Sequence, residues 1–596
     1  MSNYVFIFAT QHAERGVTDW LAEHDGNPNE VLQTRVSSTV QLTVVSYDIA
    51  ASVDSKLSTF YKGSAVDHES GAVIFGLRGW LEYREAVDLQ PKFNVEGQYL
   101  EVNWSGRLVR FKRDVFGMMP LLHTTGDGYV AVSDSMLALA DLRRHMGDVS
   151  TPNEEVLLSR AVFSGLGGQQ VSPDTIVEQI KFVPARQSLA VSIVGTPRPI
   201  TAGSSLQGLG LKEGETYGEV IRTAASNIAR LMATLARLNN WVSVMSLSGG
   251  YDSRVCLAGA VAAGVVGDLH YNTKNSLPVH AADYAVATQL ADRFGFSLER
   301  PHLGDKLGAP REVDCTPFLL WALSDLGIYD YVTRVRSSRE SFRQMGITGI
   351  GGEVQRGNYG WKTWAQAVGE LNLEPLVHDA LINQGRKGLL VVGADPDDKT
   401  ASELHYMNYR HALHGGTHLP LHMLGFAPLL QSKLTALAYS EANEFPMPAY
   451  EQPGMVNDLT IVLSPEMASM PYDKPSKDLS AGFVEGRLRH LGGQINGDEL
   501  TPYTIYGSPD DMPSGPPEFL LKLGKSRGLN LPQTRETMME LGAQGLDLLT
   551  SEPLRTVYHA VNENARWRFK KKGLSPVAAG ETPGKLVAVR VLFGEC

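Results

Sequence analysis

Hydrophobic and polar residues alternate in short runs over the first 200 positions, as in Val40-Gln-Leu-Thr-Val-Val45 and Leu108-Val-Arg-Phe111, with turn residues between the runs. A period of two turns one set of side chains into a core and the other outward. These runs therefore predict strands, and the segment predicts a two-layer sheet domain. The pattern changes at 216–238, where apolar residues recur at helical spacing, and then becomes the apolar, β-branched run Trp241-Val-Ser-Val-Met245, a buried strand. A helix over 255–263, a strand Asp268-Leu-His-Tyr-Asn272, a helix Ala281–Phe294 and a strand over 346–349 follow. Strands alternating with helices predict a parallel α/β sheet that gathers ligands at the C-terminal ends of its strands.

Punctuation divides the chain. Residues 196–212, rich in Pro, Gly and Ser, are the linker candidate, and 385–400 reads as a surface loop or insertion. Past about 490 the chain is turn-rich, then helical from 532 to about 571. The expected organisation is a sheet domain over 1–205, an α/β domain over 206–500, and a helical extension over 501–596 packed on the second domain.

At 596 residues the chain exceeds one core, and its 43% apolar and 20% charged content is that of a globular protein. A net charge of −11 argues against nucleic acid as a partner. No run of about eighteen apolar residues predicts a membrane span, and the N-terminus lacks the basic lead of a signal peptide. The cysteines, Cys256, Cys315 and Cys596, form no CxxC pair, which excludes a cysteine zinc site and fits a reducing, cytoplasmic location.

The segment Ser246-Leu-Ser-Gly-Gly-Tyr-Asp-Ser-Arg254 joins a predicted strand to a predicted helix. Free amides and the dipole at such a helix start favour an anion, and Gly249 and Gly250 let the backbone close around phosphate oxygens. Ser248 and Ser253 can donate hydroxyl hydrogen bonds, and Asp252 can hold magnesium. The Walker spacing is absent. Ser-Gly-Gly-x-Asp-Ser resembles instead the pyrophosphate loop of enzymes that split ATP into AMP and pyrophosphate. About 130 residues earlier, Arg113-Asp-Val-Phe-Gly-Met-Met-Pro-Leu121 resembles a segment of N-terminal glutaminase domains. Together the two stretches resemble the asparagine synthetase B and β-lactam synthetase family over residues 1 to roughly 490.

That resemblance implies an N-terminal Ntn-hydrolase-like αββα sandwich and a parallel-sheet ATP pyrophosphatase domain. It places ATP against Leu247, Ser248, Gly249, Gly250, Asp252, Ser253, Asn272, Thr348 and Gly349. Thr348-Gly-Ile-Gly-Gly-Glu-Val354 occupies the position of the family's second ATP motif, with Glu353 where an aspartate completes magnesium binding beside Asp252. In Met470-Pro-Tyr-Asp-Lys-Pro-Ser-Lys-Asp-Leu-Ser-Ala-Gly-Phe483, Lys477 fits the family's phosphate-binding lysine best, with Lys474 second.

The departures are as informative. The family hydrolyses glutamine with a cysteine at position 2; here it is Ser2, and Arg78-Gly79 replaces the glutamine-binding Asn-Gly pair. The arginine is expected to fill that pocket and leave the domain an inert scaffold. Position 350, a tyrosine or glutamate in relatives, is Ile350, which can do no proton chemistry. The run His405–His418 supplies an alternative base: His411 and His414 are expected on one helical face, and zinc binding by His411, His414 and His418 is a second reading. The basic run Arg566-Trp-Arg-Phe-Lys-Lys-Lys572 reads as a solvated helix end, or as a clamp on an anionic substrate.

The expected protein is an ATP- and magnesium-dependent amide synthetase without glutaminase activity. It joins a carboxylate and an amine on a small molecule or peptide, with a homodimer among its expected assemblies. Intramolecular β-lactam closure is the first expectation. Macrolactam closure, intermolecular coupling, a glutamine-dependent synthetase using Ser2 and an ATP-binding pseudoenzyme are the alternatives.

Overall fold

The computed structural model describes residues 3–24, 27–87, 95–162, 166–203, 211–238, 240–275, 277–298, 311–312, 314–332, 339–340, 343–416, 424–449, 451–512, 515–571 and 576–594. It is a mixed α/β structure with two large antiparallel-based sheets, a two-stranded antiparallel ribbon, a parallel sheet and many helices.

Strand Tyr4–Thr10 lies between Tyr129–Ser133 and Val40–Ser46 in a six-stranded sheet, with Val5 opposite both Ser133 and Val45. Its alternation sorts its side chains. Tyr4, Phe6 and Phe8 point into a core shared with Phe60, Leu100, Val102 and Phe111 of an eight-stranded second sheet. Phe6 meets Phe60 and Phe111 edge to face at 5.1 and 5.3 Å. Val5 and Ile7 face the other way, in a core shared with helices Glu14–Glu23 and Met136–His145. On the far side of the second sheet, Tyr61, Ala72 and Ile74 are covered by Leu77, Trp80 and Tyr83 of helix Gly76–Val87. The layers run helix, sheet, sheet, helix.

The second core surrounds a four-stranded parallel sheet in the order His270–Asn272, Val242–Ser246, Gln344–Ile347, Leu424–Phe426. Helices Tyr217–Ala236, Tyr251–Ala262 and Met455–Leu463 share that core with Met245 and Ile347. Burial on both faces fits the apolar Val242, Val244, Met245, Met345 and Ile347 on the two central strands. Thr216 and Glu219 form a capping box that starts helix Tyr217–Ala236 where the helical period begins.

Three organisational expectations change. Residues 198–203 of the linker candidate form strand Arg198–Gly203, paired with Gln187–Ser192, while 204–210 lie outside the described residues. The start of the expected loop 385–400 is the end of helix Pro375–Val391. Its glycines serve packing: a Cβ on Gly385 would lie 1.9 Å from the Trp364 ring, and one on Gly388 2.5 Å from the Val171 carbonyl oxygen. The extension is largely helical, but it does not pack on the α/β part alone. Strand Thr504–Tyr506 pairs in parallel with Ala72–Phe75 and so adds an edge to the N-terminal second sheet. Farther on, Phe519 meets Trp20 edge to face at 4.7 Å, and Tyr558 Oη donates to the Leu157 carbonyl at 2.8 Å. Buried polar groups draw it there. The Glu30 carboxylate accepts the N–H groups of Glu518 and Phe519 at 2.9 and 3.3 Å.

Among the described residues, no helix is long and apolar enough to cross a membrane.

Candidate functional site

Strand Val242–Ser246 ends in the loop 247–250, and helix Tyr251–Ala262 begins directly after it. The Leu247 N–H donates to the Asn272 carbonyl at 2.9 Å, tying the loop to the neighbouring strand end. Ser248 and Ser253 meet across the turn, with hydroxyls 3.1 Å apart and the Ser248 N–H donating to Ser253 Oγ at 3.1 Å. Gly249 leaves no room for a side chain, because a Cβ there would lie 2.7 Å from Asp473 Cβ.

The second Gly-rich segment follows strand Gln344–Ile347 and is pressed against the first. A Cβ on Gly349 would lie 2.7 Å from the Asp252 carbonyl carbon and the Ser253 nitrogen, and one on Gly352 2.3 Å from Asp252 Oδ1. Glycine at these two positions is what permits contact between the motifs. Gly351, at φ +105°, turns the chain into the short helix Gly352–Arg356. Glu353 follows, its carboxylate accepting the Gly351 N–H at 3.0 Å and lying 3.2 Å from Tyr406 Oη. Burial, then the negative charge of Asp252, pushes the Glu353 carboxyl up to about 7. Asp252 itself is gripped by Arg356, whose Nε and Nη2 reach its two oxygens at 3.1 and 2.9 Å.

Lys477 completes the group. It is 5% exposed, its Nζ lies 3.0 and 3.1 Å from the two Asp473 oxygens, and it stands 5.6 Å from the centre of the Tyr251 ring. The Asp473 N–H donates to the Gly249 carbonyl at 3.2 Å, so the lysine segment is bonded to the loop. Lys474 is instead a half-exposed partner of Glu451 at 2.6 Å. The buried Arg254 guanidinium holds the segment in place. It lies 3.6 Å over the Tyr472 ring and donates to the carbonyls of Met470 and Pro471 at 2.8 and 2.5 Å.

No family model matches the chain, and no curated protein matches it. Among solved structures it is similar to that of the allosteric regulatory enzyme of purine biosynthesis, at 9% identity over 63% of this chain and 78% of that one, with a TM-score of 0.19. An overlap of that size carries no functional argument, and the site must speak for itself.

The histidines do not behave as a pair. Residues Tyr406–His411 wind as a π-helix and Ala412–Gly416 continue as an α-helix, but the two imidazoles meet different partners. His411 is buried with Nε2 3.8 Å from Glu353 Oε1, and burial pushes its pKa down to about 4. A neutral imidazole that basic in name only makes a poor proton acceptor near pH 7. His414 Nδ1 lies 2.6 Å from Tyr329 Oη. His418 lies outside the described residues, and among those described no three His, Cys, Asp or Glu side chains gather to hold a metal.

Ile350 faces away from this chemistry. It lines a cavity of about 40 Å³ between the antiparallel and parallel sheets, with Glu96, Gln98, Met118 and Phe426. That volume admits a few waters. Burial pushes the Glu96 carboxyl there up to about 7 while it accepts the Ser432 N–H at 2.8 Å.

Two further expectations change. Arg78 does not fill a pocket: its side chain is 71% exposed and pairs with Glu82 one turn on, at 2.9 Å. The neighbouring Gly79 is what is packed, since a Cβ there would lie 2.3 Å from the Tyr506 carbonyl oxygen of the extension strand. Ser2 lies outside the described residues. The Arg113-Asp114 motif is structural. Buried Arg113 donates to the carbonyls of Met119 and Val183 at 3.1 and 2.6 Å, and Asp114 accepts the N–H groups of Phe116 and Met118. The basic run ends helix Glu552–Lys570 in local contacts: Arg566 with Glu563, Arg568 with Asn564, and Lys571 4.6 Å over the exposed Trp567 ring. Lys572 is outside the described residues.

Sequence reasoning missed Arg356, Asp283, Asp473 and Arg254. Arg254 and Asp473 sit inside the two quoted motifs and Arg356 three residues past Glu353, so proximity was a usable signal. Asp283 had none, because 34 residues separate it from the amide it meets.

Proposed function

We propose that this chain is an amide synthetase that activates a carboxylate with ATP and couples it to an amine. One observation carries the reading: the Ser-Gly-Gly-Tyr-Asp-Ser loop, the Thr348–Glu353 segment and Lys477 meet at the C-terminal ends of two adjacent parallel strands. The layered sandwich is compatible with an Ntn-type domain and the parallel sheet with an ATP pyrophosphatase domain.

The donor set fits the ligands. Gly249 cannot carry a side chain, two hydroxyls line the turn, and the buried Thr348 Oγ1 has no hydrogen-bond partner among the described residues. Asp252 and Glu353 are the residues to hold magnesium, which usually takes one or two carboxylates plus substrate phosphates. The ion supplies charge neutralisation on the polyphosphate. In the first step a substrate carboxylate oxygen attacks the α-phosphorus, the bond to the bridging oxygen breaks, and pyrophosphate leaves. In the second an amine nitrogen attacks the acyl carbon, AMP leaves with the former carboxylate oxygen, and the nitrogen loses a proton. Lys477 places a cation where negative charge grows in both steps. Splitting the reaction exchanges oxide, a poor leaving group, for AMP.

Carboxylate-dependent exchange of labelled pyrophosphate into ATP tests the reading, with β-amino acids, peptides and amine donors as the panel. Product mass separates intramolecular closure, β-lactam formation first among the options, from macrolactam closure and intermolecular coupling. ATP binding without exchange under any substrate would instead support a pseudoenzyme.

The nitrogen source follows from the N-terminal half. Ser2 replaces the family's cysteine, and helix Gly76–Val87 is closed off at Gly79 by the extension strand. Glutamine should therefore yield no glutamate, with or without ATP. Steady glutamate release that disappears in Ser2→Ala would overturn the scaffold reading.

A further inference from the structure

Two groups at the loop, a backbone amide and a carboxylate, are held by partners from this same chain that carry the charges of the proposed ligands. The Gly249 N–H, a backbone donor of the pyrophosphate loop, gives its hydrogen bond to Asp283 Oδ1 at 2.7 Å, an anionic oxygen. The Asp252 carboxylate holds the Arg356 guanidinium, a cation, through both oxygens. Both sites are partly shielded: the Arg356 and Asp252 side chains are 14% and 22% exposed, and Gly249 is buried with Asp283 partly so.

We propose that Asp283 and Arg356 are positioning residues for the polyphosphate and its metal ion, each standing in for one ligand, so that the two ligands bind cooperatively. The inference rests on reading the loop as a polyphosphate site. Its logic is charge balance. A divalent cation arriving alone must displace a guanidinium held by two charge-assisted hydrogen bonds, and then leaves that cation beside a dication. A polyphosphate arriving alone must displace Asp283 and meets Asp252, Glu353 and Asp473 around the loop. When both arrive, the metal ion takes Asp252 and the released guanidinium has a phosphate oxygen to grip, for which its planar fork is suited. Asp283, freed from the amide, sits in the first turn of helix Ala281–Phe294 and can turn to solvent. Each ligand thereby lowers the cost of binding the other, and thermodynamic linkage makes the effect reciprocal.

The test uses the full chain, manganese as a paramagnetic substitute for magnesium, and α,β-methylene-ATP, which cannot release pyrophosphate. Free manganese is read by electron paramagnetic resonance. In wild type, saturating analogue should tighten manganese binding on the order of ten- to a hundredfold. In Arg356→Gln the competing cation is gone, so manganese alone should bind about tenfold more tightly and the analogue should add less. Arg356→Lys, which keeps the charge, should restore weak binding of the ion alone; a merely structural arginine would not show that pattern. In Asp283→Asn the analogue should bind more tightly in EDTA, with the linkage to manganese reduced. Manganese affinity without nucleotide that is equal in wild type, Arg356→Gln and Arg356→Lys would overturn the role of Arg356. Unchanged metal-free analogue binding in Asp283→Asn would overturn that of Asp283. The two readings fail separately. Exchange without metal–nucleotide linkage sinks this inference alone, and linkage without exchange under any substrate sinks the synthetase reading alone.

Discussion

Asp252→Ala should reduce pyrophosphate exchange by about a thousandfold or to background, because on the proposed reading the site loses a carboxylate that would hold the metal ion, and Arg356 loses its anchor. Lys477→Met should lose amide formation by a factor on the order of a hundred or more. The two variants differ in the route of failure. On the proposed reading, Asp252→Ala would act on nucleotide binding and activation, while Lys477→Met would remove the cation that meets charge in both half-reactions. Near-normal exchange in Asp252→Ala, measured at saturating magnesium and ATP, would remove the loop from the chemistry. Full-rate product formation by Lys477→Met would leave the buried Lys477–Asp473 pair a structural clamp.

The largest expected effect on stability lies far from the loop, where the extension meets the N-terminal layer. Asp141 is 3% exposed and is approached by Trp20 Nε1 at 2.9 Å, His24 Nε2 at 3.3 Å and Arg527 Nε at 2.7 Å. Asp141→Ala leaves the Arg527 guanidinium partly buried without this carboxylate and should cost about 3–5 kcal/mol in denaturant unfolding. A loss under about 1 kcal/mol would mean that water replaces the carboxylate. The pH dependence has a definite sign. Burial alone would raise the Asp141 pKa, but the hydrogen bonds from His24 and Trp20 and the Arg527 charge outweigh it and hold the group down at about 2. A carboxyl whose folded value lies below its unfolded value of about 3.9 stabilises fully above that value and loses the contribution as pH falls toward 2. Wild-type stability should therefore drop between about pH 4 and pH 2 by more than that of Asp141→Asn.

The loop was legible because its chemistry is local. Strand, glycine pair, hydroxyls and carboxylate all fall within residues 242–253, and the strand that opens the stretch is mostly apolar. Lys477 could be chosen over Lys474 on spacing, and the structure separates them by burial: one is bonded beside the loop, the other is paired with Glu451 at the surface. For the histidines, tertiary contacts decide: His411 is buried beside Glu353, while His414 meets Tyr329. Arg78 was misread because a residue aligned to a pocket position can still point outward; it pairs with Glu82 in solvent, and the space beside Gly79 belongs to Tyr506.

By its sequence alone this chain determined the sheet-rich first part, the strand–helix alternation after it and the residue types suited to polyphosphate and magnesium, while the helix expected over 255–263 begins earlier, at Tyr251. Those features follow from hydrophobic period, glycine conformation and side-chain chemistry, which act over a few residues. Tertiary structure alone decided the rest. It set Gly349 and Gly352 against Asp252, gave Asp283 to the Gly249 amide and Arg356 to Asp252, and turned Ile350 into a wall between sheets. It also sent the C-terminal extension back to close the edge of the N-terminal sheet, 430 residues and more from the strand it meets. These are contacts between segments distant in sequence. They are chosen by which buried carboxylate, amide or apolar face each segment can satisfy, and no local pattern records that choice.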